Sequence, residues 1–304
     1  MIRYICTIII SLFLMSCSGV RGNVASLQTS LEDFIRDKDA RIGVAVIING
    51  SDTVAVNGNE QFPMLSVYKF PIALALAEQY RTKGLSLDRP VAMLPQDLHT
   101  NTYSPMTEKI IASSQLSTDT LQISTKELIG YMLQLSDNNA SDIALREVNG
   151  TVEVDRYLKQ LGIKDVHVRN TEDEMHKDNT LCYANSSTPL AMAALMDKFD
   201  RDFNDPISLD IKQLMETCAT GTERLAKPVL VANAVLGHKT GTGFILPDGR
   251  IMAVNDAGYV HLPDGRRYSI AVFIENSGYD MAQTEAIIAR ISQIVIEYTL
   301  RNCL

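Results

Sequence analysis

The 304-residue chain has no block of five like charges, and its 28 basic residues are outnumbered by 36 acidic ones, for a net charge of -8. A basic patch is the footprint of a nucleic-acid binder, so no nucleic-acid partner is expected. The five histidines, His99, His167, His176, His238 and His261, show neither an HxH nor an HExxH spacing. A dedicated zinc site needs ligands at such intervals, so neither a metal nor another cofactor is expected. Internal repeats and low-complexity linkers are absent. The apolar run from Ile5 to Met15 is too short to span a bilayer.

That run reads instead as the core of an export leader, flanked by the positive charge of Arg3. Leu14-Met15-Ser16-Cys17 resembles a bacterial lipoprotein cleavage box, in which Cys17 becomes the acylated first residue. Simple cleavage nearby is the alternative. Either way residues 1–17 form a signal peptide and the protein is exported to the periplasm, anchored to the inner or outer membrane where Cys17 is lipidated. Export removes Cys6 and leaves Cys182, Cys218 and Cys303, an odd number at unrelated spacings that selects no disulfide pair. The three are expected as buried or half-buried free thiols.

Hydrophobic residues make up 46% of the chain and charged residues 21%, enough apolar matter for a sizeable core. The length allows about two lobes. Ser26 to Asp37 carries the apolar stripe of an amphipathic helix, with Leu27, Leu31, Phe34 and Ile35. Ile42–Ile48 and Thr53–Val56 flank Asn49-Gly50, and Met252–Leu262 and Tyr268–Ile274 flank Pro263-Asp264-Gly265; each set predicts a hairpin. A long terminal helix aligns Ile287, Ile291, Ile294, Val295 and Tyr298. Between these ends the pattern is helical. Phe70–Ala77 is apolar all round and predicts a fully buried helix, and Thr188-Pro189 predicts a helix start at Leu190.

The expected fold class is therefore α+β: an antiparallel sheet built from both termini with flanking helices, and an inserted all-α lobe. The α/β lobe takes residues 24–62 and 215–304, and the all-α lobe residues 63–214. A cleft between two such lobes is a natural small-molecule site.

Three motifs occur in order: Ser66-Val67-Tyr68-Lys69, Ser136-Asp137-Asn138 and Lys239-Thr240-Gly241. One SxxK is expected by chance in roughly every chain of this length, but all three in order is far rarer. A serine hydroxyl needs a neighbouring base to become a nucleophile. On a helix, residues three apart share a face, so Lys69 can reach Ser66. Free N–H groups at a helix start favour developing negative charge. Lys239, as a second cation, would favour a neutral Lys69 and attract an anionic substrate. The Ser136 hydroxyl can pass a proton to a leaving nitrogen, and the Asn138 amide can grip a substrate amide. His238, beside Lys239, is read as a packing residue facing away from the cleft. Pro71 is an oddity: five residues into a helix starting at Ser66, it should clash and cost a hydrogen bond.

This trio resembles that of the class A serine β-lactamases, over roughly Leu27 to Ile296. Asn170–His176 is similar to the Ω-loop (here near residues 168–187) of the extended-spectrum and cephalosporinase-type branch, with histidine where most relatives have asparagine. The resemblance implies the two-lobed serine β-lactamase/DD-peptidase-like fold and hydrolysis of penicillins and cephalosporins through a Ser66 acyl-enzyme, conferring β-lactam resistance. It makes Ser66, Lys69, Ser136 and Glu172 catalytic, with Lys69 or Glu172 (through water) as the acylation base, Glu172 activating the hydrolytic water and Glu174 the competing choice. Tyr103, Asn138, Lys239, Thr240, Thr242 and Arg224 would bind substrate, Arg224 through its carboxylate. The N–H groups of Ser66 and Thr242 would form the oxyanion hole, and His176 would order the Ω-loop. The implied partner is a small-molecule β-lactam, and the implied state a monomer. The alternatives are a penicillin-binding DD-peptidase or transpeptidase, or a non-hydrolytic β-lactam sensor.

Overall fold

The computed structural model describes residues 24–113 and 120–301. The leader, with Cys6 and Cys17, lies outside the described residues, as does Cys303. Helix α1 (Val24–Ile35) buries Leu27, Leu31 and Ile35, a stripe at the helical repeat. Strands β1 (Arg41–Ile48) and β2 (Asp52–Val56) pair antiparallel across Asn49 and Gly50, at φ +51° and +73°. Two left-handed residues are what the Asn-Gly pair supplies to a hairpin.

After the short strand β3 (Phe62–Pro63), a single 3-10 turn (Leu65–Tyr68) runs into α2 (Lys69–Thr82), buried nearly all round. This start differs from the expected one. Ser66 belongs to the 3-10 turn, so Pro71 is the third residue of α2, within the first turn where an N–H has no intrahelical partner anyway. Strands β4 (Pro90–Met93) and β5 (Leu121–Ser124) form a ribbon, with α3 (Pro105–Ala112) between them in sequence. Helices α4 (Thr125–Gln134), α5 (Asn138–Glu147) and α6 (Thr151–Gln160) pack around α2. Strands β6 (Val166–His167) and β7 (Ser186–Ser187) join β3 in a small sheet, and α7 (Glu172–Lys177) sits in the loop between them.

The chain continues through α8 (Pro189–Asp202), α9 (Pro206–Glu216) and α10 (Ala226–Val231). Strands β8 (Val235–Thr242), β9 (Ile251–His261) and β10 (Arg267–Ser277) then complete the main sheet, and α11 (Met281–Arg301) ends the described chain. The sheet is antiparallel with order β2-β1-β10-β9-β8. Strands from both ends of the chain thus meet at β1 and β10, as the sequence pattern predicts. The fold is α+β.

Alternation puts two cores on the two faces of this sheet. Val44, Val46, Val272 and Ile274 face α1, α10 and α11. Ala45, Ala271, Phe273 and Tyr259 face the other way and share one core with α2 and α8. The helical middle is therefore continuous with the sheet: α8 seals the second face while α2 carries the site. Phe199 of α8 is the joint between them, edge-on to Phe70 of α2 at 5.3 Å and 6.3 Å from Tyr259 of β9.

Truncating that ring should leave a cavity that neither side can fill. Phe199→Ala is expected to cost about 3–5 kcal/mol, read from the urea midpoint at unchanged slope. A loss below about 1 kcal/mol would show that the two layers do not depend on this contact.

Candidate active site

The turn carrying Ser66 is pinned from two sides. Met64 donates its N–H to Asn185 O at 2.8 Å, and the buried amide of Asn255 on β9 donates to Pro63 O (2.7 Å) and Met64 O (3.1 Å). Strand β8 presses on the same turn. A Cβ at Gly241 would stand 2.5 Å from Met64 O and 3.2 Å from Ser66 N, so this position admits only glycine. Gly243 donates to Ala253 O at 2.8 Å. The neighbouring pair Thr242–Val254 is then the non-hydrogen-bonded one, and the Thr242 N–H points away from β9, off the open edge of the sheet.

Lys69, the first residue of α2, is fully buried. Its Nζ donates to Ser136 O at 2.7 Å and Asn138 Oδ1 at 2.6 Å, and meets Glu172 Oε1 at 3.0 Å. Ser136 joins α4 to α5 at φ +61°, a conformation costly for a non-glycine residue and common at functional sites. Asp137 caps α5, accepting from Ala140 N (2.8 Å), Met106 N (2.7 Å) and Ser104 Oγ (2.9 Å). The Asn138 amide is engaged at both ends, because its Nδ2 donates to Thr102 Oγ1 at 2.8 Å.

The loop carrying Glu172 is closed at its neck by Asn185, whose Oδ1 accepts from the N–H groups of Arg169 (2.7 Å) and Asn170 (3.0 Å). Thr171 and Glu174 form a capping box: Thr171 Oγ1 accepts from Glu174 N at 3.1 Å, and Glu174 Oε2 accepts from Thr171 N at 2.9 Å. Glu174 is thus an exposed capping carboxylate, and the carboxylate reaching Lys69 is that of Glu172. Sequence reasoning passed over Asp142, which accepts from Glu172 N at 2.7 Å and Asp173 N at 2.8 Å. Burial pushes Asp142 up to about 7, against the pull of these two N–H groups. Its signal was its spacing, one helical turn beyond Asn138 on the same face of α5. His176 is exposed and ties α7 to the chain before α3 through Asn101 Nδ2 at 2.9 Å.

On β8, Lys239 is fully buried and donates to Ser136 Oγ at 3.0 Å and Thr240 O at 2.9 Å. Burial, reinforced by Lys69 and Arg224 and opposed by Cys218 and Asp256, brings Lys239 down to about 7. His238 faces the sheet interior, its Nδ1 2.8 Å from Asp256 Oδ1. Cys182 and Cys218 are free thiols.

A cleft of about 430 Å³ brings together Ser66, Tyr103, Ser136, Asn138, Glu172, His176, Thr240 and Thr242. Lys69 and Lys239 stand behind it, each touching its lining. Tyr103, 55% exposed, forms part of the rim. Arg224 departs from expectation. Its side chain is only 4% exposed, and its guanidinium is already occupied by Glu285 (3.0 Å), Gly241 O (3.1 Å), Asn255 O (3.0 Å) and Thr242 Oγ1 (2.7 Å). These bonds brace the wall from behind. A larger groove of about 760 Å³ between α10 and α11 is lined by no serine, cysteine or histidine.

Fold and site together define a serine acyl-transfer enzyme of two packed layers with a nucleophile turn between them. The profile of the β-lactamase enzyme family matches residues 26–299. A β-lactamase of Bacteroides uniformis is 35% identical over 294 residues, covering 95% of this chain and 97% of that one. The crystal structure of a class A β-lactamase representative from Bacteroides cellulosilyticus DSM 14838 superposes with a TM-score of 0.84 at 35% identity, covering 90% of this chain and 97% of that chain. The crystal structure of TLA-3 extended-spectrum β-lactamase superposes with a TM-score of 0.86 at 34% identity, covering 91% of this chain and 100% of that chain. The chain belongs to the β-lactamase enzyme family, as a class A serine β-lactamase.

The pair behind Lys239 has a consequence for stability. Burial pushes the His238 imidazole down, but the charge and hydrogen bond of Asp256, with the Cys218 thiol, outweigh it and raise it to about 10. A raised histidine stabilises the fold fully below its unfolded value of about 6.5, and that contribution fades as pH climbs through the folded value. The His238 contribution to the unfolding free energy should therefore fade by roughly a few kcal/mol between about pH 6.5 and pH 10. Lys239 and Cys218 run the opposite way, because their lowered folded values make them gain over that range, so His238→Gln should give a more positive pH slope than wild type. Equal slopes for the two proteins in urea titrations would remove His238 as the cause.

Proposed function

We propose that Ser66 attacks the strained amide carbonyl of a β-lactam and that water activated by Glu172 then releases the acyl-enzyme. The enzyme is a β-lactam hydrolase of the kind that confers resistance, and it needs no metal or organic cofactor for this chemistry. The observation that carries the reading is the 3.0 Å contact between Lys69 Nζ and the Glu172 carboxylate, in the same cleft as Ser66. A peptidase that only acylates has no use for a second activated nucleophile, whereas hydrolysis requires one.

The other roles follow from placement. The proton of Ser66 passes toward Lys69 and Glu172, which share it across their contact. Ser136, bonded to Lys239, relays a proton to the departing lactam nitrogen. The N–H groups of Ser66 and Thr242 receive the carbonyl oxygen as it gains charge. Lys239 and Thr240 receive the substrate's anionic group, the Tyr103 rim packs on its side chain, and Asn138 bonds its amide. His176 holds α7 against the chain before α3, and Arg224 holds Thr242. The protein is exported, and its leader supports a periplasmic location with Cys17 as a lipid anchor. A monomer suffices, since every residue named comes from one chain.

Glu172 and Glu174 separate these roles experimentally. With an amide in place of the base, Glu172→Gln should consume a slowly hydrolysed cephalosporin in one stoichiometric burst and then stall, losing about 10²- to 10⁴-fold in deacylation. Mass spectrometry should find the acyl group on Ser66. Glu174→Gln weakens only a helix cap and should turn over at close to the wild-type rate. The reverse outcome, with Glu174→Gln stalled and Glu172→Gln active, would move the base two residues along the loop.

A further inference from the structure

A polar chain behind the anion-facing wall is left unused by this mechanism. Cys218 follows α9 and places its sulfur 3.3 Å from Thr220 Oγ1, which in turn lies 2.6 Å from Thr240 Oγ1. Both threonines line the cleft. The sulfur also meets the His238 imidazole, which when protonated can only donate to it, and the carbonyl oxygens of Leu133, Gln134 and Thr220 lie farther off at 3.8 to 3.9 Å.

Each hydroxyl has one proton to donate. In a chain of hydroxyls, the direction chosen at one end therefore dictates the direction at the other. When the sulfur donates to Thr220, Thr220 donates to Thr240, and the Thr240 proton is left for the cleft. When the sulfur accepts, both hydroxyls turn toward it, and Thr240 offers the cleft only lone pairs. The first arrangement binds an anion and the second repels one.

We propose that Cys218 is a positioning residue for substrate binding: through Thr220 it sets whether Thr240 presents a donor or an acceptor to the substrate's carboxylate. The proposal rests on the reading above that Thr240 faces that anionic group. Its charged surroundings make both states accessible. Burial pushes the thiol up, but His238 and then Lys239, both on β8, outweigh it and bring Cys218 to about 7. Asp256 of β9 stands behind His238. At the end of α9 the Glu216 carboxylate turns to the Tyr259 hydroxyl at 3.2 Å. From α4 come the Leu133 carbonyl and, just inside its end, that of Gln134.

The test is a double-mutant cycle read as KM and kcat for a penicillin, at about pH 6 and about pH 8.5, on either side of the thiol's titration. Serine at this position keeps a donor that does not ionise in that range, while Thr220→Val cuts the chain. The ratio of wild-type KM to Cys218→Ser KM should grow ~10-fold from the lower pH to the higher, with the kcat ratio flat. In the Thr220→Val background the same comparison should not show that growth. Lys239's own titration and the through-space charge of a thiolate act in both backgrounds and divide out. An equal pH response in the two backgrounds overturns the proposal. Absence of wild-type penicillin hydrolysis at about pH 6 would overturn the site reading itself, and this proposal with it.

Discussion

The site is organised around one buried ammonium group. Lys69 is fully buried, and a buried charge without partners costs several kcal/mol. Its three closest partners come from two separate stretches of chain: the Ser136 carbonyl and the Asn138 side chain where α4 passes into α5, and the Glu172 carboxylate on α7. Satisfying that nitrogen fixes where each stretch lies. It gives a physical reason for the left-handed backbone of Ser136, which aims a carbonyl at Lys69 that a relaxed turn would direct elsewhere. It also seats α7, whose first two N–H groups are then taken by Asp142 from the same helix that supplies Asn138.

The opposite wall obeys a different constraint, the close approach of two backbones. Strand β8 is the edge of the sheet, so its outward groups are free to face the nucleophile turn. The approach at Gly241 leaves no room for a side chain. Arg224 then braces this stretch from behind, bonding Gly241 O and Thr242 Oγ1 while Glu285 of α11 balances its charge. The sheet's edge and the α2 turn are thus held as one rigid pair, which is what preorganised N–H donors require.

Much of this was legible in the sequence because the chemistry demands particular residue types at short spacings. Ser66 and Lys69, Ser136 to Asn138, and Lys239 to Gly241 are each local patterns, and the hairpins and buried helix follow from periodicity. What escaped was set by distant partners. Arg224 was read as a substrate ligand, and nothing in its neighbourhood reveals that Glu285 and the carbonyls of Gly241 on β8 and Asn255 on β9 will engage it. Pro71 implied a kink or a shifted helix start, and the 3-10 turn before α2 is the second of these. The register of Glu172 against Glu174 was in fact legible, since Thr171 to Glu174 is a capping-box sequence that assigns Glu174 to the helix end. The Cys218–Thr220–Thr240 chain was not, because residues 20 apart meet only once α9 and β8 have packed.

The most direct test of the account is hydrogen exchange of the α7 amides in Lys69→Met, a change that keeps length and removes charge. If the buried ammonium seats the loop, exchange over residues 172–177 should quicken by about tenfold or more, while amides of β9 and β10 keep their wild-type protection. Unchanged protection of α7 in that variant would contradict the claim that Lys69 organises the site.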